Sequence, residues 1–297
     1  MKKTIIGVTR PLAAQPVGNA WQEQLFFGYQ GLGRQTNPAI LASHVPAQPM
    51  ATDAEPRSTG VQARAGFECV TLLLQGELLC RDSADTDQRL STGDVLWQGA
   101  GRGALYEDLP APLDTGRQSD DDGQTRDDTL QLLRFWINLP ADYKGTDPHS
   151  QFIPAAQIPT LELPGGAGNL RVIAGEWNDR LGPAETVTPL QLWEIQACAG
   201  HSITLPLPRR WYALLLVLEG QVRHHYWPTL INGPQLALLD AAGDELSIDV
   251  LQDTRLVLLS CEPLDEPIMG HDTLVMNTAE QLQTCETKLA AGEFGTL

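Results

Sequence analysis

The stretch that decides the fold is residues 66–77, which read Gly-Phe-Glu-Cys-Val-Thr-Leu-Leu-Leu-Gln-Gly-Glu. An apolar and β-branched run that ends at a glycine is typical of a buried β-strand followed by a tight turn. Residues 92–97, Thr-Gly-Asp-Val-Leu-Trp, place a second strand after a second turn, and residues 99–103, Gly-Ala-Gly-Arg-Gly, form the next turn. Residues 130–137 carry a further apolar strand pattern. Short strands with regular turn signals predict a β-sandwich or barrel domain.

The second half of the chain repeats this arrangement. Residues 214–220 read Leu-Leu-Leu-Val-Leu-Glu-Gly, and residues 235–244 lead from a strand into an Ala-Gly-Asp turn. Two copies fit a chain of 297 residues, because domains commonly hold about 150 residues. We predict an N-terminal domain at residues 1–145, a Pro-rich linker at 146–165 and a C-terminal domain at 166–297.

Two further elements are expected at the ends of the chain. Residues 1–10 begin like a signal peptide, but their apolar run is too short, so they are interpreted as the first strand. The tail from Thr278 to Ala291 carries the clear helical spacing. Asn277 or Thr278 is its expected N-cap, and Gly292 follows just beyond its end.

Composition excludes several classes of protein. A formal net charge of −17 argues against direct binding to nucleic acid. No apolar run reaches the roughly 18 residues that a membrane span requires. The five cysteines form no Cys-x-x-Cys pair, so neither a disulfide framework nor a zinc ribbon is indicated, and a cytoplasmic location is expected.

The chain resembles the pirin family, whose N-terminal cupin holds a metal on three His and one Glu. The family pattern His-Pro-His-Arg-Gly-Phe-Glu corresponds to residues 62–68, which read Gln-Ala-Arg-Ala-Gly-Phe-Glu. Further landmarks follow in family order, including Phe-Trp-Ile-Asn-Leu-Pro at 135–140, Glu-Pro-Leu-Asp-Glu-Pro-Ile at 262–268 and Gly-Glu-Phe-Gly at 292–295. The resemblance implies an all-β bicupin, with two tandem jelly-roll cupin β-barrels and a short C-terminal helix.

All four ligand positions implied by the resemblance have changed. Gln62, Arg64, Tyr106 and Asp108 stand where the family has His, His, His and Glu. Arginine has no lone pair to offer a metal, and tyrosine ligates only as the phenolate. The family uses Fe(II) or another divalent metal here, but we expect no metal and no other cofactor in this chain.

An internal ion pair is the expected replacement for the metal. We predict that Arg64 pairs with Asp108 or Glu107, and that Gln62 hydrogen-bonds the Tyr106 hydroxyl. In the second cupin, His224 and His225 are adjacent on a predicted strand and therefore face opposite sides. Together with His201 they give at most a partial ligand set, and the resembled family binds no metal in that domain.

Three functions remain open at this stage. The leading hypothesis is a non-catalytic protein whose N-terminal cupin binds a small anionic or phenolic ligand, or has only a structural role. The alternative is a metal-dependent quercetin 2,3-dioxygenase, since some bacterial members of the family resemble such enzymes; without a metal, Tyr106 and Glu107 are the candidates for proton transfer. A third hypothesis is a protein-interaction module with an unknown partner, suggested by the net charge and by the Asp-rich segment 113–129, which is predicted to be a mobile loop.

Overall fold

The computed structural model describes residues 1–49, 57–110, 129–226 and 228–297. Within these ranges the chain is almost entirely β-structure, with a single α-helix, α1 (Ala279–Ala290), which is too short to cross a membrane. The all-β bicupin prediction is therefore confirmed. The strands are β1 (Ile5–Thr9), β2 (Gln15–Val17), β3 (Trp21–Phe27), β4 (Ala39–Pro49), β5 (Gln62–Arg64), β6 (Phe67–Gln75), β7 (Glu77–Asp82), β8 (Asp87–Ser91), β9 (Val95–Gly99), β10 (Ala104–Pro110), β11 (Thr129–Asn138), β12 (His149–Ile153), β13 (Thr160–Glu162), β14 (Gly168–Ala174), β15 (Glu176–Trp177), β16 (Arg180–Leu181), β17 (Leu190–Ala197), β18 (Ser202–Pro206), β19 (Tyr212–Glu219), β20 (Gln221–His224), β21 (Leu230–Asn232), β22 (Gln235–Leu239), β23 (Glu245–Val250), β24 (Thr254–Cys261), β25 (Met269–His271) and β26 (Leu274–Met276).

The chain forms two compact units that are not continuous in sequence. The N-terminal unit comprises Leu12–Gln35, Ala39–Ala155 and Glu266–Leu297. The C-terminal unit comprises Met1–Pro11, Thr36–Pro38 and Ala156–Asp265. The units differ from the continuous ranges 1–145, 146–165 and 166–297 at both ends of the chain, since β1 belongs to the C-terminal unit and α1 to the N-terminal unit.

Each unit has the two-sheet architecture of a jelly roll rather than a closed barrel. In the N-terminal unit a seven-stranded sheet, in the order β12-β9-β6-β11-β4-β3-β2, accompanies a four-stranded sheet, β5-β10-β7-β8. In the C-terminal unit the orders are β1-β22-β19-β24-β17-β14-β13 and β18-β23-β20-β21. The predicted first strand is thus confirmed as β1, an edge strand antiparallel to β22.

The interiors of the two units differ in chemistry. In the C-terminal unit a continuous cluster of buried Trp, Leu, Ile, Val and Ala side chains fills the space between the sheets. The N-terminal unit has several smaller apolar clusters, one of them around Leu73, Leu78, Leu90 and Leu132. Arg64, a fully buried charged side chain, lies among the largest buried residues of the described chain. Charged groups are almost never buried unless they are paired, so this interior requires an electrostatic explanation.

The tail of the chain braces the four-stranded sheet of the N-terminal unit. Helix α1 begins with a capping box, in which Thr278 accepts from the Gln281 backbone N–H and the Gln281 side chain accepts from the Thr278 N–H. One face of the helix packs, together with Met276 and Phe294, against small and apolar side chains of β5 and β10. The helix therefore lies behind the two strands that carry the four altered ligand positions.

Lys144 ties this tail to the end of β5. Its buried ammonium donates to the Gly66 carbonyl at 2.7 Å, the Asn138 side-chain oxygen at 2.6 Å and the Val275 carbonyl at 2.9 Å. Three acceptors use all three protons of the ammonium group. Because Gly66 comes two residues after Arg64, this contact fixes the backbone that presents the Arg64 side chain.

Candidate functional site

Strands β5 and β10 bring the four altered ligand positions together. They are antiparallel neighbours in which Tyr106 lies opposite Gln62, and Ala104 lies opposite Arg64. Successive side chains on a strand point to opposite faces. Ala63, Ala65 and Leu105 contact the tail on one face, so the alternate positions, including Arg64, Tyr106 and Asp108, face the interior of the unit.

The Arg64–Asp108 ion pair expected from the sequence is present. Arg64 Nη2 lies 3.5 Å from Asp108 Oδ2, and the two side chains are 2% and 1% exposed. The same carboxylate oxygen accepts a shorter bond, 2.9 Å, from Arg134 Nη2. Arg134 Nε also donates to the Thr71 hydroxyl at 3.2 Å. One carboxylate thus lies between two guanidinium groups that come from opposite sheets.

Arg134 was not identified from the sequence. It lies on β11, where it is flanked by Leu132, Leu133 and Phe135. An arginine inside an otherwise apolar strand is a signal for a buried, paired charge, because an unpaired one would be expensive to bury. The sequence does not show which residue pairs with Arg134, because residues 111–128 separate β10 from β11 along the chain. Those residues lie outside the described ranges.

The predicted hydrogen bond from Gln62 to Tyr106 is wrong. Gln62 Oε1 instead accepts from Arg64 Nη2 at 3.3 Å, because a guanidinium is the stronger donor within its reach. Glu107 also does not pair with Arg64. It alternates to the other face of β10 and accepts a hydrogen bond from Ser58.

Tyr106 lies beneath the arginine and remains a phenol. The Arg64 guanidinium carbon is 4.8 Å from the centroid of its ring, which is a cation–π geometry. Burial raises the pKa of Tyr106 well above its ordinary value, against the opposing effect of Arg64. Its hydroxyl has no hydrogen-bond partner among the described residues, so it is an unused buried donor.

The electrostatics of the site centre on Asp108. Burial acts to raise its pKa, but Arg134 and then Arg64 outweigh burial and hold the pKa below its usual value. Cys80 lies opposite Asp108 on β7, and burial together with this carboxylate raises the pKa of its thiol. The site therefore contains an ionised carboxylate, two guanidinium groups, a neutral thiol and a neutral phenol.

Glu68, which belongs to the same motif, faces away from this interior. It follows Phe67 and precedes Cys69 on β6, and it is 1% exposed. Neither carboxylate oxygen has a hydrogen-bond partner among the described residues. Burial raises the pKa of Glu68 to about 7, while the nearby Trp97 indole acts in the opposite direction.

The histidines of the C-terminal unit do not converge. His224 is buried and its Nε2 is 3.0 Å from the Lys3 carbonyl, whereas His225 is exposed and its Nδ1 is 3.0 Å from Asp249. His201 lies in a turn beside the Cys198 carbonyl. Within the described ranges, no group of three or more His, Cys, Asp or Glu side chains is arranged to hold a metal ion.

The Asp-rich segment 113–129 contributes nothing that can be placed at the site. Residues 113–128 lie outside the described residues, and Thr129 is the first residue of β11. Its predicted mobility and its suggested role in binding a partner stay predictions.

Comparison with known proteins gives a consistent picture. Residues 22–137 match the family model described as Pirin, and residues 192–295 match that of the pirin C-terminal cupin domain. A protein of Pseudomonas aeruginosa named "Putative quercetin 2,3-dioxygenase" is 32% identical, over 98% of this chain and 98% of its own length. A crystal structure of quercetin 2,3-dioxygenase from Acinetobacter baumannii has a TM-score of 0.92 and 30% identity, covering 100% of this chain and 99% of that one. A nickel(II) complex of a bacterial pirin from Escherichia coli has a TM-score of 0.62 and 12% identity, covering 87% and 99%, which shows a shared fold.

Proposed function

This chain belongs to the pirin family, and we propose that it is a bicupin that binds a small anionic or phenolic ligand without oxidising it. The site is the interior of the N-terminal unit, at Gln62, Arg64, Tyr106 and Asp108. The observation that carries the proposal is the buried Arg64 guanidinium, which lies 3.5 Å from the carboxylate that a metal would need.

The donor set does not fit a divalent metal. Asp108 is the one carboxylate of the four positions, and it is already engaged by two guanidinium groups. The Tyr106 phenol is held in its protonated form by burial, and a protonated phenol is a poor ligand. A metal ion would also face the repulsion of Arg64 and Arg134 in a buried site, where charges are weakly screened. A cation tethered to the chain therefore replaces the metal of the family.

The unused hydrogen-bond donors support an acceptor ligand. Arg64 Nε and Nη1, the Tyr106 hydroxyl and Gln98 Nε2 are all buried and have no acceptor among the described residues. Leaving a buried donor unsatisfied costs about 1–3 kcal/mol. A carboxylate or phenolate oxygen would accept from several of these donors at once, and charge-assisted hydrogen bonds are the stronger kind.

The local charge favours the same class of ligand. Two guanidinium groups share the single carboxylate of Asp108, which leaves one positive charge in excess among these three groups. The charges of Asp82, which acts on Tyr106, and of Glu23, which acts on Arg134, offset part of this excess from farther away. The Asp82 carboxylate accepts from the Ala84 and Thr86 backbone N–H groups and the Ser150 hydroxyl, and it forms no ion pair with either guanidinium group. Asp108 would orient Arg64, and Arg64 with Tyr106 would bind the ligand oxygen.

Two measurements on the full-length chain test this function. Elemental analysis after purification, with and without added iron or nickel, is expected to find no stoichiometric metal. Isothermal titration with benzoate and phenol as probes is expected to detect binding that weakens at least tenfold in Arg64→Met. Arg102→Met removes the same charge from an exposed ion pair with Asp147 and serves as the matched control.

A variant with the family's metal ligands restored tests whether the four substitutions are the reason that the chain binds no metal. Replacing Gln62, Arg64 and Tyr106 by His and Asp108 by Glu restores the ligand types of the family pattern and should create metal binding that the natural chain lacks. Stoichiometric metal in the natural chain, together with quercetin turnover that stops on adding a chelator, would instead establish the dioxygenase alternative.

A further inference from the structure

One aromatic side chain of β11 is partly open to solvent. Every residue from Leu130 to Asn138 is buried except Trp136. Its ring stacks on that of Phe67, with centroids 4.2 Å apart and an interplanar angle of 20°. Ile268, from the tail of the chain, packs against the same cluster and is also only partly buried. Trp136 and Ile268 therefore mark a point at which this apolar cluster meets solvent.

Trp136 faces the same interior as the buried arginines. It lies two residues from Arg134 on β11, so the two side chains are on one face of the sheet. Arg134 donates to Asp108 and to the Thr71 hydroxyl on that face. Phe67, which stacks on Trp136, precedes Thr71 by four residues on β6 and therefore shares its face. The alternation of both strands thus places Trp136 in the site interior.

A row of three paired residues leads from Trp136 to the unused donors of the site. Cys69 on β6 lies opposite Trp136 on one side and opposite Gln98 of β9 on the other. Neighbouring strands are about 4.8 Å apart, so the backbone of Gln98 is roughly 10 Å from that of Trp136. Gln98 Nε2 is buried without an acceptor among the described residues. Burial is the main cause of the raised pKa of Tyr106, but the Cys69 thiol adds to it, which places this row near the phenol on the facing sheet.

The unused groups favour a carboxylate over a phenol. Arg64 Nε and Nη1, the Tyr106 hydroxyl and Gln98 Nε2 are buried donors without an acceptor among the described residues. A phenol keeps its proton at neutral pH, because its pKa is near ~10, and so brings one more donor. A carboxylate is ionised at neutral pH and offers two oxygens that only accept. A ring that lies on Trp136 brings such a carboxylate over Cys69, one strand away.

We propose that the ligand of the N-terminal site is an aromatic monocarboxylate with a single ring, such as benzoate. This inference rests on the ligand-binding function proposed above and adds the class of ligand. The ring stacks on the face of Trp136 opposite Phe67, where no other ring or cation contact is present in the described ranges. The carboxylate accepts from Gln98 and, across the interior, from Tyr106 and Arg64. Trp136 thus selects the aromatic ring, and the donors select the charge.

Titration calorimetry of the full-length chain with benzoate and cyclohexanecarboxylate tests the selection of the ring. Both probes carry one carboxylate on a six-membered ring, but only benzoate is aromatic. A stacked aromatic pair adds a factor of about two to ten in affinity, so we expect benzoate to bind about fivefold more tightly. Trp136→Leu should bring the two dissociation constants within twofold of each other, whereas Trp136→Phe should keep most of the preference.

Two further variants separate the ring contact from the carboxylate contact. Trp211→Leu is the matched control, because it makes the same change at a partly buried tryptophan of the C-terminal unit, and it should leave the preference for benzoate unchanged. Gln98→Leu should weaken both carboxylates by the same factor, about tenfold or more, since it removes a hydrogen bond to a charged group. Unchanged binding of both probes to Gln98→Leu would refute the position of the carboxylate.

The outcomes distinguish this inference from the function on which it rests. Equal affinities for the two probes in the natural chain, with both lost in Arg64→Met, would overturn the aromatic class and leave an anion-binding site. Tighter binding of phenol than of benzoate would overturn the carboxylate and leave a phenol-binding site. A preference for benzoate that persists in Trp136→Leu would refute the role of Trp136. No saturable binding of either carboxylate or of phenol would overturn both proposals.

Discussion

The most demanding test of the N-terminal site is the substitution Asp108→Asn, which keeps the side-chain shape and removes the charge. Asp108 is 1% exposed and faces Arg134 at 2.9 Å and Arg64 at 3.5 Å. Removing one partner of a buried ion pair typically costs about 3–5 kcal/mol, because the remaining charge is left buried without compensation. Here two guanidinium groups would be left, so we expect a loss of at least about 3 kcal/mol in the free energy of unfolding, measured by urea denaturation.

The matched control is Asp87→Asn, the same change in the same unit. Asp87 is exposed and lies 3.8 Å from Arg81, so its loss should cost no more than about 0.5 kcal/mol. A double-mutant cycle with Arg134→Met should show stronger coupling to Asp108 than a cycle with Arg64→Met, because the Arg134 contact is shorter. If Asp108→Asn costs no more than the control, the buried charges do not hold this interior together, and the electrostatic reasoning fails.

Three further predictions concern other parts of the fold. Lys144→Met should lower the free energy of unfolding by about 3 kcal/mol in urea denaturation, since it removes three buried hydrogen bonds worth about 1 kcal/mol each; a loss below about 1 kcal/mol would contradict this. Glu68 binds its proton more tightly in the folded state, with a pKa of about 7 against 4.5. This tighter proton binding stabilises the folded state fully below pH 4.5, and the stabilisation is lost as the pH rises through 7. Glu68→Gln should therefore flatten the pH dependence of the free energy of unfolding between those values. Thr278→Ala removes the N-cap of α1 and should cost about 1 kcal/mol, whereas the same change at the exposed Thr284 should cost less.

Local sequence patterns predicted the strands and the helix well. The apolar runs at 70–74, 214–218 and 235–239 lie within β6, β19 and β22, because a run bounded by glycine and turn residues has few alternatives to a buried strand. The tail helix begins at Ala279 after the Thr278 cap, as expected from local capping chemistry. These features depend on neighbours in sequence, so the sequence alone determines them.

The sequence predicted that Gln62, Arg64, Tyr106 and Asp108 lie close together, as β5 and β10 place them, but it missed Arg134 and did not determine how these side chains pair. Strand alternation places Arg64 and Asp108 in one interior and turns Glu107 outward. The hydrogen-bond partners of Gln62 and Arg134, however, could not be predicted from their positions in the sequence. Arg134 reaches Asp108 because β11 belongs to the sheet that faces β10. Only the tertiary structure decides such contacts, since a buried charge selects its partner by distance across the interior and not by separation along the chain.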